Sequence, residues 1–600
     1  MNEFTSRDKA FTLAGILLAL FLGALDQTIV ATALPRIVED LHGVTRYAWV
    51  ATSYLLASTV MVPIFGKLAD MYSRKMIEIW SVALFLIGSF LCGISGQFGD
   101  IPLIGDGMNQ LVVFRGVQGL GGAGLFAMVF IVIADLFPPA ERGKYQGLIG
   151  AVFGISSVLG PLIGGFLTDY GGSILPGIAG WRWVFYVNLP LGAVALWFIS
   201  ARMPRLEPPG ADEHRLDLRA AAFLAVGLSA VILALQIDKR MFGWDSPITL
   251  GLLGGGLLLL FLFWRRSVGA QSPVLDFRLF ANRVFTIGNA ALFFFGVVFL
   301  GVIVFLPLFI VNVTGVTATE AGISLIPLSL GIVFGATISG QLVSRIGHYR
   351  RLMLLGGCLM FVGILFLSLM DTQTTYMEVM IYMTICGLGI GPALPLYPLA
   401  IQNAVDTRLI GQATSASQFF RQIGGVFGAA LMGTILVTSL TGSFAELSGL
   451  MPGAGKGAQQ TGEGFAGKGI EDVLADIHAS FDAQYHNLEA EVEKGDDSRI
   501  AALTAQYGIA ESVRSRLVSH NTEEQETALL EFRRQLDVQE SSTLQTVRSR
   551  LQQAFADAVT GVFFWSLFFC AAGIFMTVFL PELPLKTGND SSQGPSEIPA

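Results

Sequence analysis

The sequence has few charged residues for its length. Asp, Glu, Lys and Arg make up 14% of its 600 residues, hydrophobic residues make up 53%, and the mean hydropathy is +0.62. Soluble domains are about 25% charged, and a soluble chain of this length divides into several domains with polar surfaces. The shortage of charge therefore excludes an ordinary soluble protein.

Cysteine and histidine are scarce and are not grouped. All four cysteines lie inside apolar runs, without the paired spacing that disulfides or metal sites require. The six histidines are scattered along the chain, whereas an enzyme would show clustered His, Asp, Glu or Cys. We therefore expect no metal site, no cofactor and no enzymatic activity.

Long apolar blocks are abundant instead. A helix needs about 20 residues to cross ~30 Å of hydrocarbon, and blocks such as Leu13 to Val30 approach or exceed that length. We predict an all-α membrane protein with fourteen spans, near residues 10–34, 49–68, 76–95, 111–137, 146–167, 183–200, 218–235, 248–264, 284–311, 318–343, 352–370, 376–401, 411–440 and 559–579.

Basic residues are divided unevenly between two sets of short loops. One set carries Lys67, Arg74, Lys75, Arg142, Lys144, Arg202, Arg205, Arg215, Arg265, Arg266, Arg278, Arg345, Arg350 and Arg351. The other carries only Arg36, Arg46, Arg182, Lys239 and Arg240. Because basic loops remain in the cytoplasm, the first set is predicted to be cytoplasmic. An even number of spans then places both termini there, in a multi-pass protein of the plasma (inner) membrane.

An internal repeat predicts a duplicated architecture. A Gly-x-Leu turn leads into a basic cluster at 66–75 and again at 340–351, on the same predicted side. Two six-helix bundles with a substrate site between them are a common transporter plan. We divide the chain into an N-terminal bundle (1–205), an inserted pair of spans (206–270), five spans of the C-terminal bundle (271–440), an extracytoplasmic linker and helical subdomain (441–558), the last span (559–582) and a disordered cytoplasmic tail (583–600).

The segment 441–558 differs from the rest in composition. A Gly-rich linker, Pro452 to Gly469, precedes charged sequence in which apolar residues recur every three or four positions, as on the face of a helix. Three helices are predicted, and the third continues into the last span. This subdomain is either a solvated cap or spacer, or an element that docks an extracytoplasmic partner.

Six local patterns occur in order along the chain. They are Leu25–Val30 in the first span, the 66–75 loop, Arg115–Gly119 in the fourth span, the glycine series Gly150 to Gly165 in the fifth, Trp181–Gly192, and Gln418–Gly425 in the thirteenth. Together they resemble the major facilitator superfamily, and within it the fourteen-span drug:proton antiporter branch, over the whole chain except 441–558. The resemblance implies export of small lipophilic or cationic compounds against inward proton flow.

Asp26 and Arg115 are the expected proton-coupling residues. Asp26 is the only carboxylate deep in the first span, and buried charges in spans usually face a cavity and carry function. It lies ~12 Å from the outer end of its helix, and Arg115 lies ~8 Å from the outer end of the fourth span, so the two share a similar depth. The alternative is a fixed structural pair between spans one and four.

Two further groups of residues have expected roles. Gly66, Asp70, Arg74 and Arg142 are expected to form a cytoplasmic gate, a charge cluster that closes in one state and breaks in the other; the alternative is positive-inside anchoring alone. Small residues on one face of the fifth span are expected to pack closely against another helix, and Pro161 is expected to bend the fifth span. The resemblance adds that these residues form the antiporter motif: Gly154, Gly160, Pro161, Gly164 and Gly165.

Aromatic and polar residues of several spans are expected to line a substrate cavity, because broad apolar sites have a few polar groups among aromatic side chains. They are Gln27, Tyr54, Gln118, Asn289, Phe293, Tyr382, Tyr397, Gln418 and Arg421. Arg421 has no deep acidic partner in the second half, and backbone carbonyls, a lipid phosphate or an anionic substrate group all remain open as its ligand.

Two transport hypotheses result. The first is a monomeric, proton-coupled exporter of lipophilic compounds; no Walker-type Gly-Lys-Ser/Thr sequence is present, which argues against ATP-driven transport. The second is an exporter of an endogenous lipid, glycolipid or other amphiphile, in which the 441–558 segment handles cargo or docks a partner. Membrane lipids and a small substrate are the expected partners, and no nucleic acid is expected.

Overall fold

A computed structural model describes residues 5–42, 46–102, 104–173, 177–207, 216–237, 242–316, 324–448, 470–507, 509–519 and 521–586. The predictions for Arg215, Lys239, Arg240, the Gly-rich linker at 452–469 and the tail from 587 onward fall outside these ranges.

Fourteen helices in the described ranges are long and apolar enough to cross a membrane. In chain order the helices are α1 (Ser6–Asp40), α2 (Tyr47–Met71), α3 (Arg74–Ile94), α4 (Gly107–Leu136), α5 (Pro139–Tyr170), α6 (Gly180–Arg202), α7 (Leu218–Gln236), α8 (Pro247–Ser267), α9 (Arg283–Thr314), α10 (Ile326–Ile346), α11 (Arg350–Ser368), α12 (Tyr376–Ala404), α13 (Ile410–Ser448), α14 (Ile470–Lys494), α15 (Asp497–Gln506), α16 (Glu511–Leu517) and α17 (Thr522–Val578). The spans are α1–α13 and α17, so the predicted all-α class and span number are confirmed.

Local sequence explains where these helices begin and end. The Asp106 side chain accepts a hydrogen bond from the Asn109 amide at 2.8 Å and caps α4. Pro139 stands at the first turn of α5, where its missing N–H has no intrahelical role. Gly347, with φ of 77°, ends α10 in the left-handed region. Between such ends, helical hydrogen bonding satisfies the backbone where lipid offers none.

The helix contacts repeat with a shift of eight spans. In the first half α1 packs against α5 and α6, and α4 packs against α2 and α3. In the second half α9 packs against α13 and α17, and α12 packs against α10 and α11. This equivalence of contacts describes two similar six-helix bundles.

Two pairs of helices make the largest contacts between the halves. α5 packs against α10, and α2 packs against α13. The extra helices α7 and α8 pack against each other, and α7 lies beside α2 and α13, where Val60, Ile64, Leu224, Leu228 and Val426 share one buried apolar cluster. The α2–α13 contact is therefore covered by α7.

The insert is a helical subdomain built on the last span. α14 packs back against α17 with the apolar stripe Val473, Ile477, Phe481, Leu488 and Val492 buried. α17 is one helix of 57 residues, so the insert and the last span are continuous. Its base also contacts α9, since Gln552 Nε2 donates to the Val313 carbonyl at 3.2 Å.

Candidate functional site

A cavity of ≈ 900 Å³ lies between the two halves. Its walls come from α1, α2, α4, α5, α9, α10, α12 and α13. We call the membrane face with Ser6 and Val578 the terminal face, and the one with α14 the insert face. The cavity opens toward the insert face, because its lining includes Arg36, Asp169 and Leu325, which lie at that end of α1, α5 and α10.

The walls of this cavity are mostly apolar. Aromatic rings come from Phe126, Phe153 and Phe299, and the remaining apolar surface comes from aliphatic side chains and glycines. Hydroxyl and amide groups are interspersed: Gln27, Thr28, Thr32, Ser58, Thr59, Ser157, Thr168, Ser329 and Gln422. A volume and lining of this kind suit a drug-sized apolar ligand with a few polar groups.

Two of the nine residues expected in the cavity, Gln27 and Arg421, line it. Tyr54 and Gln118 lie behind the wall, around Arg115. Gln418 is buried and accepts a hydrogen bond from Arg421.

The other four belong to helices of the second bundle and are outside the cavity lining. Asn289 is buried and donates to the Phe285 carbonyl at 2.8 Å, and Phe293 packs against Phe427. Tyr382 stacks on Phe366, and the Tyr397 hydroxyl is hydrogen-bonded to Thr577. Hydropathy could not place them, because cavity-facing, bundle-facing and lipid-facing surfaces are all apolar here.

The Asp26 carboxylate lies one residue from the cavity wall but is fully buried. Its Oδ2 is ion-paired with Arg115, and its Oδ1 accepts hydrogen bonds from Gln118 at 2.8 Å and Asn188 at 3.1 Å. Asn188 was not given a role from sequence. It begins the regular part of α6, in the Asn-Leu-Pro pattern that marks the break in that span.

Arg115 is surrounded by acceptors. Besides Asp26, its Nη1 donates to Gln118 Oε1 at 2.8 Å and its Nε donates to the Val50 carbonyl at 3.4 Å. The guanidinium carbon lies 4.5 Å from the centre of the Tyr54 ring. The pair joins α1, α4 and α2 into one buried polar group.

The terminal face is closed by contacts between α2 and α13. Asp70 accepts hydrogen bonds from the backbone amides of Gly411 at 2.8 Å and Gln412 at 2.9 Å. A carboxylate at the amino end of a helix is favoured by its unpaired amides and its dipole. Gly66 permits this approach, since a Cβ there would lie 1.9 Å from Ser415 Oγ and 2.8 Å from the Gly411 carbonyl oxygen.

The other two expected gate residues support the same corner within the first half. Arg74 Nε is 2.8 Å from Asp135, and its Nη2 is 3.7 Å from Asp70. Arg142 donates instead to the carbonyls of Ala134 at 2.7 Å and Phe137 at 2.9 Å, at the end of α4. Asp135 was missed from sequence; its position one turn before Pro138-Pro139, beside the basic loops, is the signal that could have found it.

The glycine series of α5 has two packing faces, not the single face expected. Toward α10, a Cβ on Gly154 would lie 2.0 Å from Val333. Toward α1, Cβ atoms on Gly160 and Gly164 would lie 2.0 Å from Thr28 and 2.2 Å from Thr32. The six-residue step from 154 to 160 turns a helix by about 240°, so the face changes between these pairs.

The remaining motif residues face open space. Pro161 lines the cavity, and a Cβ on Gly165 would have no neighbour within 4 Å. Leu162, between them, lines the cavity and is also 55% exposed. Between Ser157 and Asp169, this face of α5 therefore lines the cavity.

Arg421 lies about 11 residues, ~17 Å, into α13. Its Nη2 donates to Gln418 Oε1 at 3.0 Å, and its buried Nε has no hydrogen-bond partner in the described ranges. No carboxylate of a described residue lies within ion-pair distance of its guanidinium. Within the described residues there is likewise no group of three or more side chains that could hold a metal ion.

Comparison with known proteins agrees with this architecture. The family model for the Major Facilitator Superfamily matches residues 16–429. Multidrug resistance protein 3 of Bacillus subtilis is 38% identical over 77% of this chain and 86% of its own length. The multidrug transporter protein MdtP of the same organism is 36% identical over 72% of this chain and 76% of its own length. The solved proton:xylose symporter XylE is similar in fold, with a TM-score of 0.53 at 14% identity over 72% of this chain and 90% of its own.

Proposed function

The chain belongs to the Major Facilitator Superfamily, and we propose that it is a proton-coupled antiporter that exports small lipophilic compounds by alternating access. The observation that carries this proposal is the ≈ 900 Å³ apolar cavity, whose lining reaches the insert face, with the buried Asp26 carboxylate adjoining its wall. The family is one of transporters rather than enzymes. The two Bacillus relatives are named for multidrug resistance and transport, and we extend export to this chain on that likeness.

Alternating access requires that the closed contacts at the terminal face break and that the halves close at the insert face. The closing contacts are of the kind that can break and reform. Asp70 bonds across the halves to two amides, Gln146 donates to Gln402 at 3.0 Å, and the Lys144 amide donates to Ser344 at 3.2 Å. Few apolar side chains need to be repacked, since glycines form much of the contact surface.

Proton coupling is assigned to Asp26. Protonation would remove the negative charge that holds Arg115 between α1 and α4, and would leave a neutral acid with the same amide neighbours. Because Asp26 is fully buried in this conformation, proton exchange belongs to another step of the cycle. Gln27, the next residue, lines the cavity, so movement of α1 there links the substrate to the acid.

The test is transport by the purified full chain in proteoliposomes with an imposed proton gradient. We expect gradient-driven movement of Nile red, a neutral lipophilic dye, and dissipation of the pH gradient on its addition. Asp26→Asn should abolish both, whereas Asp100→Asn, which removes an exposed carboxylate between α3 and α4, should change neither. Dye movement by Asp26→Asn that still dissipates the gradient would remove Asp26 from the mechanism.

A second function, export of an endogenous lipid, glycolipid or other amphiphile, is supported by the lining of the cavity. Its apolar walls with interspersed hydroxyl and amide groups would accept both the apolar and the polar part of such a molecule. Deleting 449–550 distinguishes the uses of the insert: surviving dye export fits a spacer, while loss of amphiphile transport alone fits cargo handling or a docked partner.

The predicted orientation and assembly complete the proposal. Both termini would lie in the cytoplasm, so the cavity would open outward from the plasma membrane in this conformation. The protein would act as a monomer, since one chain contains both bundles and the cavity between them.

A further inference from the structure

Arg421 is a cation in the cavity wall whose hydrogen-bonding capacity is largely unused. A guanidinium has five N–H donors, and Arg421 makes one described hydrogen bond, to Gln418. Gly296 lets α9 approach this turn of α13, since a Cβ there would lie 2.1 Å from the Arg421 carbonyl oxygen. The backbone is therefore held firmly while the charged group lies at the open space.

The charges of the cavity lining are not balanced at the depth of Arg421. Of the described residues that line it, only Arg36, Asp169 and Arg421 are charged. Arg36 and Asp169 lie at the mouth, and Arg36 is paired with Glu39 at 2.9 Å. The inner part thus carries one uncompensated positive charge in apolar surroundings, which attracts an anion and repels a cation.

The rest of the wall suits an apolar body. Phe126, Phe153 and Phe299 lie among aliphatic side chains. An inorganic anion or a sugar acid would leave this surface uncovered. A molecule with an apolar body and one anionic group would use both features.

We infer that Arg421 is the headgroup site for an anionic amphiphile, a molecule that carries a carboxylate, sulfonate or phosphate on an apolar body. The inference rests on the proposed transport function and names its substrate class. It replaces the cationic part of the expected substrates, because no described carboxylate lines the inner cavity to hold a cation.

A matched pair of fluorescent probes tests the inference by binding to the full chain in detergent. 1-Anilinonaphthalene-8-sulfonate carries a sulfonate on the frame of N-phenyl-1-naphthylamine, which is neutral. Since a hydrogen-bonded ion contact is lost, Arg421→Gln should weaken binding of the sulfonate about tenfold to hundredfold. Binding of the neutral amine should change less than about threefold.

Two variants control for charge and position. Arg421→Lys keeps the charge and should retain part of the preference for the sulfonate. Arg219→Gln removes an exposed cation at the start of α7, outside the cavity lining, and should leave both affinities unchanged. Equal weakening of both probes by Arg421→Gln, or no weakening of either, would overturn the inference.

Transport assays distinguish this outcome from failure of the proposed function. If the wild type moves neither Nile red nor the neutral amine under any gradient, the transport proposal fails. If it moves neutral dye but shows no Arg421-dependent preference for the anion, only the substrate class fails. Fluorescent phosphatidic acid compared with phosphatidylcholine asks whether the anion is a membrane lipid; movement of the free sulfonate alone assigns a soluble amphiphile.

Discussion

Arg115 and Arg421 both lie deep in membrane spans, but their surroundings are opposite. Arg115 is 2% exposed and is bonded to Asp26, Gln118 and the Val50 carbonyl. Arg421 has one amide acceptor and a cavity in front of it. A buried charge that is paired within the chain stabilises the fold or couples its helices, whereas one that faces a cavity is available to a ligand. The buried arginine of the first half is thus paired within the protein, whereas that of the second half is available to a ligand in the cavity.

Removing the partner of a buried charge should produce the largest effect. Arg115→Gln leaves the Asp26 carboxylate without its counter-ion, and breaking such a pair costs about 3–5 kcal/mol. We expect a clear fall in the thermal unfolding temperature of the detergent-solubilised protein. Combining it with Asp26→Asn should recover most of the loss, because no unpaired charge remains. If the double variant is no more stable than Arg115→Gln, the pair is not the source of the stability.

The second prediction concerns the face to which Arg421 is accessible. Gly66→Ala places a Cβ 1.9 Å from Ser415 Oγ and 2.8 Å from the Gly411 carbonyl oxygen, and such overpacking costs about 1–3 kcal/mol. The terminal face should then close poorly and Nile red transport should fall by about tenfold. Gly254→Ala in α8, which meets nothing within 4 Å and lies outside the cavity lining, is the matched control and should transport normally. Equal loss in both variants would contradict the assignment.

The third prediction gives Arg421 a carboxylate partner within the protein, as Arg115 already has. Gln418→Glu places a carboxylate where the present amide oxygen lies 3.0 Å from Arg421. An internal ion pair should form, so the affinity for anilinonaphthalene sulfonate should fall about tenfold while the unfolding temperature does not fall. Gln422→Glu places the carboxylate instead on the residue after Arg421, which lines the cavity, and tests whether the position of the new charge matters. Unchanged sulfonate binding in Gln418→Glu would contradict a ligand role for the guanidinium.

The smallest effect is expected for a charged pair on the exposed insert. His478 of α14 is hydrogen-bonded to Glu540 of α17, and this bond, with the Glu540 and Asp482 charges, raises the pKa of His478. A raised folded-state pKa stabilises α14 fully below the unfolded value of about 6.5, and the stabilisation is lost as pH rises through the folded value.

Hydrogen exchange of α14 amides at pH 6 and 8, corrected for intrinsic exchange, should show weaker protection at pH 8. His478→Gln should remove this difference. His486→Gln should keep it, because His486 pairs with Glu489 inside α14 and does not bridge to α17. An unchanged pH dependence in His478→Gln would assign it to other groups.

The sequence predicted the helices well because lipid imposes a simple rule on the backbone. Every span must satisfy its own hydrogen bonds, so apolar length is a direct signal. The continuity of the third insert helix with the last span was also predictable, since the apolar stripe through Leu551 runs into the final apolar block. The first span was predicted at 10–34, whereas the helix extends over Ser6–Asp40, because its polar ends continue beyond the hydrocarbon.

The cavity was much less predictable than the helices. Asp26 and Arg115 stood out because charge is rare in spans, and the same rarity marked Arg421. Aromatic residues carry no such signal: Phe299 lines the cavity, while Phe293, in the same helix, packs against Phe427. Threonines such as Thr28 were missed because a hydroxyl in a helix can bond its own backbone, as Thr28 also does to the Leu25 carbonyl at 3.0 Å.

Because the long helix α17 is continuous, the insert is rigidly attached to the second bundle alone. Within the membrane α17 packs against α9, α11 and α13, all in the second half, and its 57 residues extend for about 85 Å. Roughly 55 Å of that length precedes the last span. A rocking of the second half by ~15° would sweep the tip through about 14 Å. A binder that clamped the tip to the first bundle would therefore block this movement from the insert face, without entering the cavity.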